Sequence, residues 1–218
     1  MRNQPISVSE QVLWATSLYT VGNPVHDQIV APIKRFIYEE ENKHDVSVAS
    51  GIAKNIKGGL FESRFDFFKS DDPTIEALKS FCGTAVLEVA KHVNSGYWEE
   101  GGNFSLEFHE SWFHITRKGG FHDFHNHPNC SWCGIYYLDI GDSMATDGSN
   151  AFFDPRPAAH NYTDYGTAYL DGKTRFDTTP QDGDLLIFPS YLYHSAPPYH
   201  GVKDRLVIAF NSSIHFDP

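Results

Sequence analysis

From residue 104 to residue 214 the chain is a succession of short β-forming runs, and this pattern limits the fold more than any other feature. The runs are 104–115, 121–127, 133–140, 150–154, 184–188 and 205–214, each rich in aromatic and β-branched residues and separated by Gly, Pro, Asp and Asn. Such side chains suit a pleated, half-buried surface, and the separating residues suit turns. Several runs of this kind predict a β-sandwich or jelly roll. The stretch 141–183 is polar and rich in Asp, Gly, Thr and Tyr, so it is expected to be a loop or hairpin excursion. Connections of that length often carry function.

The N-terminal half reads differently. Residues 7–20 carry Val8, Val12, Leu13, Leu18 and Tyr19 at mixed spacing, which suggests a strand and a short turn. In 25–43, Val25, Ile29, Ile33, Phe36 and Ile37 recur at three or four after Asn23-Pro24, the signature of a helix with its cap and first-turn residue. A loop with Gly51, Gly58 and Gly59 follows. Residues 73–95 give the clearest helix, with Asp72 as cap, Pro73 in the first turn and an apolar stripe from Ile75 to Val93. A length of 218 residues fits one domain, 1–218, with a helical wrapping layer over 1–100 and a β core over 101–218.

A net charge of -11 with no Lys/Arg cluster argues against a nucleic-acid backbone or an anionic membrane as partner. No apolar run approaches the length of a membrane span, and the N-terminus does not read as a signal peptide. Three Cys, an odd number, argue against a disulfide framework and for a reducing, cytoplasmic setting. Cys130-Ser-Trp-Cys133 lacks the second pair that a structural zinc site needs, so Cys133 reads as packing.

The chemistry concentrates in Phe121-His122-Asp123-Phe124-His125-Asn126-His127-Pro128. Alternate residues of a strand share a face, so Asp123, His125 and His127 are expected on one side and His122, Phe124 and Asn126 on the other. Two imidazoles at i and i+2 can reach one metal ion. A second segment, Gly183 to Pro198, gives an apolar strand, a turn at Pro189-Ser190 and then His194. A jelly roll can bring His194 beside the pair, and three facial ligands leave positions open for a substrate and dioxygen.

Taken in order, several stretches carry a family resemblance: His125-Asn-His127-Pro128, Ser131-Trp-Cys-Gly134-Ile-Tyr-Tyr-Leu, Phe153-Asp-Pro-Arg156, Pro180 to Ser190, His194, and Arg205-Leu-Val-Ile-Ala-Phe-Asn211. Together they make residues 95–215 resemble the 2-oxoglutarate/Fe(II)-dependent oxygenase superfamily, in a branch with a His-x-His-Pro motif. The resemblance implies a double-stranded β-helix core (jelly roll, cupin-like) flanked by helices, mainly β with N-terminal helices. It implies Fe(II) and 2-oxoglutarate as cofactors, and hydroxylation of a small molecule or a protein side chain with dioxygen. Most of the superfamily uses His-x-Asp and a distal His, whereas His127 stands at the carboxylate position here. Two ligand sets therefore remain: His125, His127 and His194, or Asp123 with His125 and His194. The branch resemblance favours the first.

In the same comparison Arg205 corresponds to the basic residue that binds the distal carboxylate of 2-oxoglutarate, a task suited to a planar guanidinium. Tyr137 corresponds to a tyrosine that bonds the same carboxylate, although periodicity alone does not choose between Tyr136 and Tyr137. Arg156 is a further candidate for anion contact, the alternative being a turn-stabilising pair with Asp154. Asn211 is expected either to orient a ligand or to cap its strand. Trp112, His114 and Trp132 fit the pocket wall or the core equally well. Two rival readings stand beside the main one: a three-histidine dioxygenase that needs no 2-oxoglutarate, and a jelly-roll binding module with a structural metal. A helical layer also offers a face for pairing, so a homodimer is one expectation.

Overall fold

A computed structural model of the chain describes residues 9–43, 58–99, 101–142, 147–156, 164–170 and 174–217. Ten strands and two α-helices lie within them. The helices are α1 (His26–Lys43) and α2 (Pro73–Val93). Asp72 caps α2, its Oδ1 accepting from the backbone N–H of Thr74 at 2.7 Å and of Ile75 at 3.3 Å. Such a cap stabilises a helix by about 1 kcal/mol. Asn23 makes the corresponding side-chain contact ahead of α1, its Oδ1 accepting from Val25 N at 3.0 Å.

The major sheet has the order β1 (Tyr19–Gly22), β8 (Asp184–Pro189), β5 (Trp132–Asp139), β10 (Arg205–Asp217), β3 (Asn103–Thr116), β2 (Leu60–Glu62). The minor sheet has the order β4 (His122–His125), β9 (His194–Ala196), β6 (Ala151–Phe153), β7 (Arg175–Asp177). The pairings are antiparallel throughout, and the two sheets form the jelly roll. The excursion after β5 contains the β6–β7 pair, with Ala151 opposite Asp177. Residues 143–146, 157–163 and 171–173 of that excursion lie outside the described residues, as does the Gly51 part of the earlier loop.

The major sheet is buried on both faces, which explains why its strands read as near-continuous apolar runs. On β5, Tyr136 and Leu138 face the helices, in one cluster with Ile33 and Ile37 of α1 and Leu78 and Val86 of α2. Cys133, Ile135 and Tyr137 face the other way, into a second cluster with Phe152, Phe188 and Val207. The same alternation on β10 sends Leu206, Ile208 and Phe210 to the helices and Val207 to the jelly-roll interior. Strands β2, β7 and β9, three residues each, are too short to give a periodic signal in the sequence. Among the described residues no helix is long and apolar enough to cross a membrane.

Candidate functional site

Strand pairing brings the histidines together. His125 ends β4 and lies directly opposite His194 at the start of β9. His127 follows two residues later, anchored by its backbone N–H donating to Ser190 O at 3.1 Å. The ring centroids of His125 and His194 are 4.3 Å apart, those of His125 and His127 4.9 Å, and those of His127 and His194 5.2 Å. One ligand nitrogen from each lies within 4.8 Å of the others. Nδ1 of His125 bonds to the carbonyl of Asp123 at 2.6 Å, and Nδ1 of His194 to that of Leu192 at 3.1 Å. A carbonyl can only accept, so both Nδ1 atoms carry hydrogen and both Nε2 atoms keep their lone pairs. Burial, with His125 as a nearby charge, pushes His194 down to about 3 and His127 to about 4, so both imidazoles are neutral at pH 7. Convergent, with two of the three rings held by carbonyls, these side chains fit a transition-metal ion.

Asp123 is exposed and is not among the residues whose ligand atoms converge here. The strict alternation expected for 121–127 also fails. On β4, His122 pairs with Ala196 and His125 with His194, so three residues span what two span on β9. This irregularity is a β-bulge, and bulges re-aim side chains. It places the His122 ring 4.4 Å from that of His125, on the side from which alternation would exclude it. Phe124 turns outward and stacks on Tyr193 with centroids 4.5 Å apart.

The cavity that reaches His127 and His194 extends to Arg205. Arg205 is 2 % exposed, and its Nη2 donates to Asn150 Oδ1 at 3.1 Å. Tyr137 O–H donates to the same oxygen at 2.6 Å, and the guanidinium lies 5.4 Å from the Tyr137 ring centre. Nε of Arg205 has no hydrogen-bond partner, and no described carboxylate pairs with this cation. An uncompensated buried cation is costly, so this end of the cavity is built for an anion. Of the two neighbouring tyrosines, Tyr137 is the one beside Arg205; Tyr136 faces the other way, accepting from Asn23 Nδ2 at 3.1 Å. Asn150, which the sequence did not single out, is the hub of this polar group and is itself tied to Thr178, with Asn150 N donating to Thr178 Oγ1 at 3.0 Å.

Arg156 is elsewhere. It is exposed, pairs with Asp154 at 2.7 Å and lines an outer groove with Trp14 and Phe176. Asn211 is buried behind the histidines, 3.4 Å from His127 Nδ1, donating to Glu110 Oε2 at 3.2 Å and accepting from Cys133 Sγ at 3.3 Å. It therefore sits behind His127. The Sγ atoms of Cys130 and Cys133 are 3.9 Å apart, and Cys133 is part of the interior packing. Trp112 and His114 line the cavity, whereas Trp132 packs against Tyr19 on the helix side. His114 and His122 converge with Glu62 of β2 in a second group. Burial pushes the Glu62 carboxyl up, but its imidazole partners outweigh this and hold it at about 2; burial pushes His114 down.

Residues 110–211 match the family model described as "Putative 2OG-Fe(II) oxygenase". This segment, a little under half of the chain, is similar to the 2-oxoglutarate/Fe(II) oxygenase family. The match points to an oxygenase dependent on Fe(II) and 2-oxoglutarate as the class of activity. No curated protein matches the sequence. Solved oxygenase structures of the same fold include HygX from Streptomyces hygroscopicus with nickel, 2-oxoglutarate and hygromycin B bound, 15% identical over 91% of this chain and 83% of that one, with a TM-score of 0.61. A Pseudomonas putida prolyl-4-hydroxylase is 14% identical over 90% and 92%, with a TM-score of 0.55. A viral collagen prolyl hydroxylase from Paramecium Bursaria Chlorella virus-1 is 12% identical over 98% of each chain, with a TM-score of 0.51.

Proposed function

We propose that this oxygenase holds Fe(II) on His125, His127 and His194, anchors 2-oxoglutarate on Arg205, and hydroxylates a C–H bond of a small molecule or protein side chain. The observation that carries this reading is one cavity that joins His127 and His194, two of three convergent imidazoles, to a buried guanidinium with no described carboxylate partner. When bound, iron and 2-oxoglutarate supply oxygen activation, with 2-oxoglutarate oxidised to succinate and carbon dioxide as the substrate C–H becomes C–OH.

The chain's own residues set the geometry. Arg205 binds the distal carboxylate of the co-substrate in a charge-assisted pair. Tyr137 and Asn150 fix the guanidinium, and Thr178 fixes Asn150. The carbonyls of Asp123 and Leu192 hold the His125 and His194 rings, and Asn211 backs His127. Trp112 and Phe188 wall the cavity and keep bulk water from it. Both substrate classes lie within the range of the fold, since its members include a prolyl hydroxylase and a protein crystallised with hygromycin B. We read residues 1–218 as one unit, because a single core cluster joins both helices to the major sheet. Three free thiols suit a reducing, cytoplasmic setting. Self-association through the helical face is the remaining part of the reading, and sedimentation would measure it.

The test is an anaerobic titration of 2-oxoglutarate into the iron form, following the weak visible charge-transfer band that chelation produces. Wild type is expected to develop the band at stoichiometric co-substrate, and Arg205→Ala only at much higher concentration. A wild-type protein that binds iron yet develops no band, and forms no succinate, sinks the reading.

A further inference from the structure

The group next to the three histidines has a chemistry of its own. Glu62 of β2 and His114 of β3 are directly opposite one another in the sheet, and His122 reaches them from β4. Nε2 of His114 lies 2.7 Å from Glu62 Oε2, and Nε2 of His122 lies 3.6 Å from the same oxygen. One ligand atom from each residue falls within 4.8 Å of the others. Glu62 and His114 are well covered, with side chains 8% and 12% exposed. The His122 ring is 4.4 Å from that of His125, so the two groups adjoin.

The three groups share the chemistry of a metal site. With a proton on Nε2, His114 donates to Glu62 Oε2 at 2.7 Å, and His122 Nε2 lies 3.6 Å from the same oxygen. Without those protons each imidazole nitrogen presents one lone pair towards the carboxylate oxygen, and the ionised carboxylate presents lone pairs of its own. A metal ion that displaces the protons engages all three residues at once.

We propose that Glu62, His114 and His122 hold a second divalent first-row transition-metal ion beside the His125–His127–His194 site. Two imidazoles and one carboxylate are a facial donor set for such ions. Ligands bound at about 2.1 Å and at right angles to one another are about 3 Å apart, a value the observed contacts bracket. All three residues project from paired strands, so the set is preformed. His114 and His122 of the second group and His127 and His194 of the first border the cavity that contains Arg205, and the second ion faces the first across the His122–His125 contact.

The experiment counts metal. Full-length protein stripped with a chelator is titrated with cobalt(II) alone, and bound equivalents are measured by calorimetry and by elemental analysis after gel filtration. Wild type is expected to retain two equivalents. Glu62→Gln and His122→Gln each retain one, with affinity for the second weakened at least about tenfold. His194→Ala also retains one, held by the second group, and Glu62→Gln combined with His194→Ala retains none. Because the variants probe the two groups separately, failure at one leaves the other readable. Melting curves of the stripped proteins confirm folding, and the partly exposed His122 is the safer substitution should Glu62→Gln unfold. One equivalent in wild type, or a second equivalent that survives both Glu62→Gln and His122→Gln, overturns the proposal.

Discussion

His125 and His194 face each other across the β4–β9 ladder with their ring centroids 4.3 Å apart, although 69 residues of chain separate them (194 minus 125). Cross-strand opposition in a short ladder therefore defines the candidate metal site. Replacing His194 by Ala removes the more buried of the two. We expect the variant to lose retained iron and its 2-oxoglutarate-dependent turnover to fall by more than about 100-fold, beyond the usual cost of losing a supporting residue. Iron content after gel filtration and succinate release check this; a variant that retains both would remove His194 from the ligand set.

Arg205 is expected to act on the co-substrate and not on the metal. Arg205→Ala should raise the KM for 2-oxoglutarate by about 10–100-fold, the worth of a charge-assisted hydrogen-bond pair. Retained iron should be unchanged. Arg205→Lys should recover only part of the loss, because an ammonium is not a planar fork. Equal loss of iron in Arg205→Ala would mean that the residue supports the fold of the site instead.

Arg156 provides the contrast. It lies on the outer groove in a pair with Asp154, so Arg156→Ala should leave the KM for 2-oxoglutarate within about twofold of wild type. A tenfold rise would show that the solution structure brings this loop to the co-substrate.

Much of this arrangement was legible in the sequence, and the limits have physical causes. The apolar stripe from Ile75 and the Asp72 cap define α2 almost to the residue, because local propensity and burial agree there. The β runs from 104 onward are readable because both faces of the major sheet are buried. The His-x-His pair and His194 are visible as motifs, but β9 itself is three residues long and has no period. Alternation misplaces His122 because a bulge adds a residue to β4, and no local signal announces it. Glu62 and Asn150 are polar residues in or beside short strands, and only tertiary pairing gives them partners in the site. The choice between Tyr136 and Tyr137 depends on which sheet face meets the helices, which periodicity cannot state.

Packing at the centre of the major sheet yields a stability prediction. Gly134 of β5 lies opposite Phe210 of β10, and a Cβ built on Gly134 would overlap the Phe210 ring. That ring is fully buried, between Phe68 at 5.7 Å and Phe108 at 5.0 Å, so it has little room to move. Gly134→Ala should destabilise by about 1–3 kcal/mol as an overpacked core. The corresponding fall in Tm is about 2–12 °C for a chain of this size. Calorimetry of the metal-free protein checks it, and an unchanged Tm would mean that the β5–β10 contact is looser than described.

The depressed imidazoles predict how the metal-free protein responds to acid. In the unfolded chain His127 and His194 would each take up a proton near pH 6.5. In the fold burial pushes them down, to about 4 and about 3. Between these limits the unfolded state binds more protons, so stability falls as pH falls. The stabilisation is complete above about pH 7 and is lost progressively below about pH 6.5, levelling only below the folded values. With allowance for the partial exposure of His127, the slope should be about 1–2 kcal/mol per pH unit near pH 5. Urea unfolding of metal-free protein at pH 7, 6 and 5 measures it, above the range in which most carboxylates titrate. His127→Gln combined with His194→Gln should flatten the profile; equal slopes in the two proteins would show that other groups carry the pH dependence.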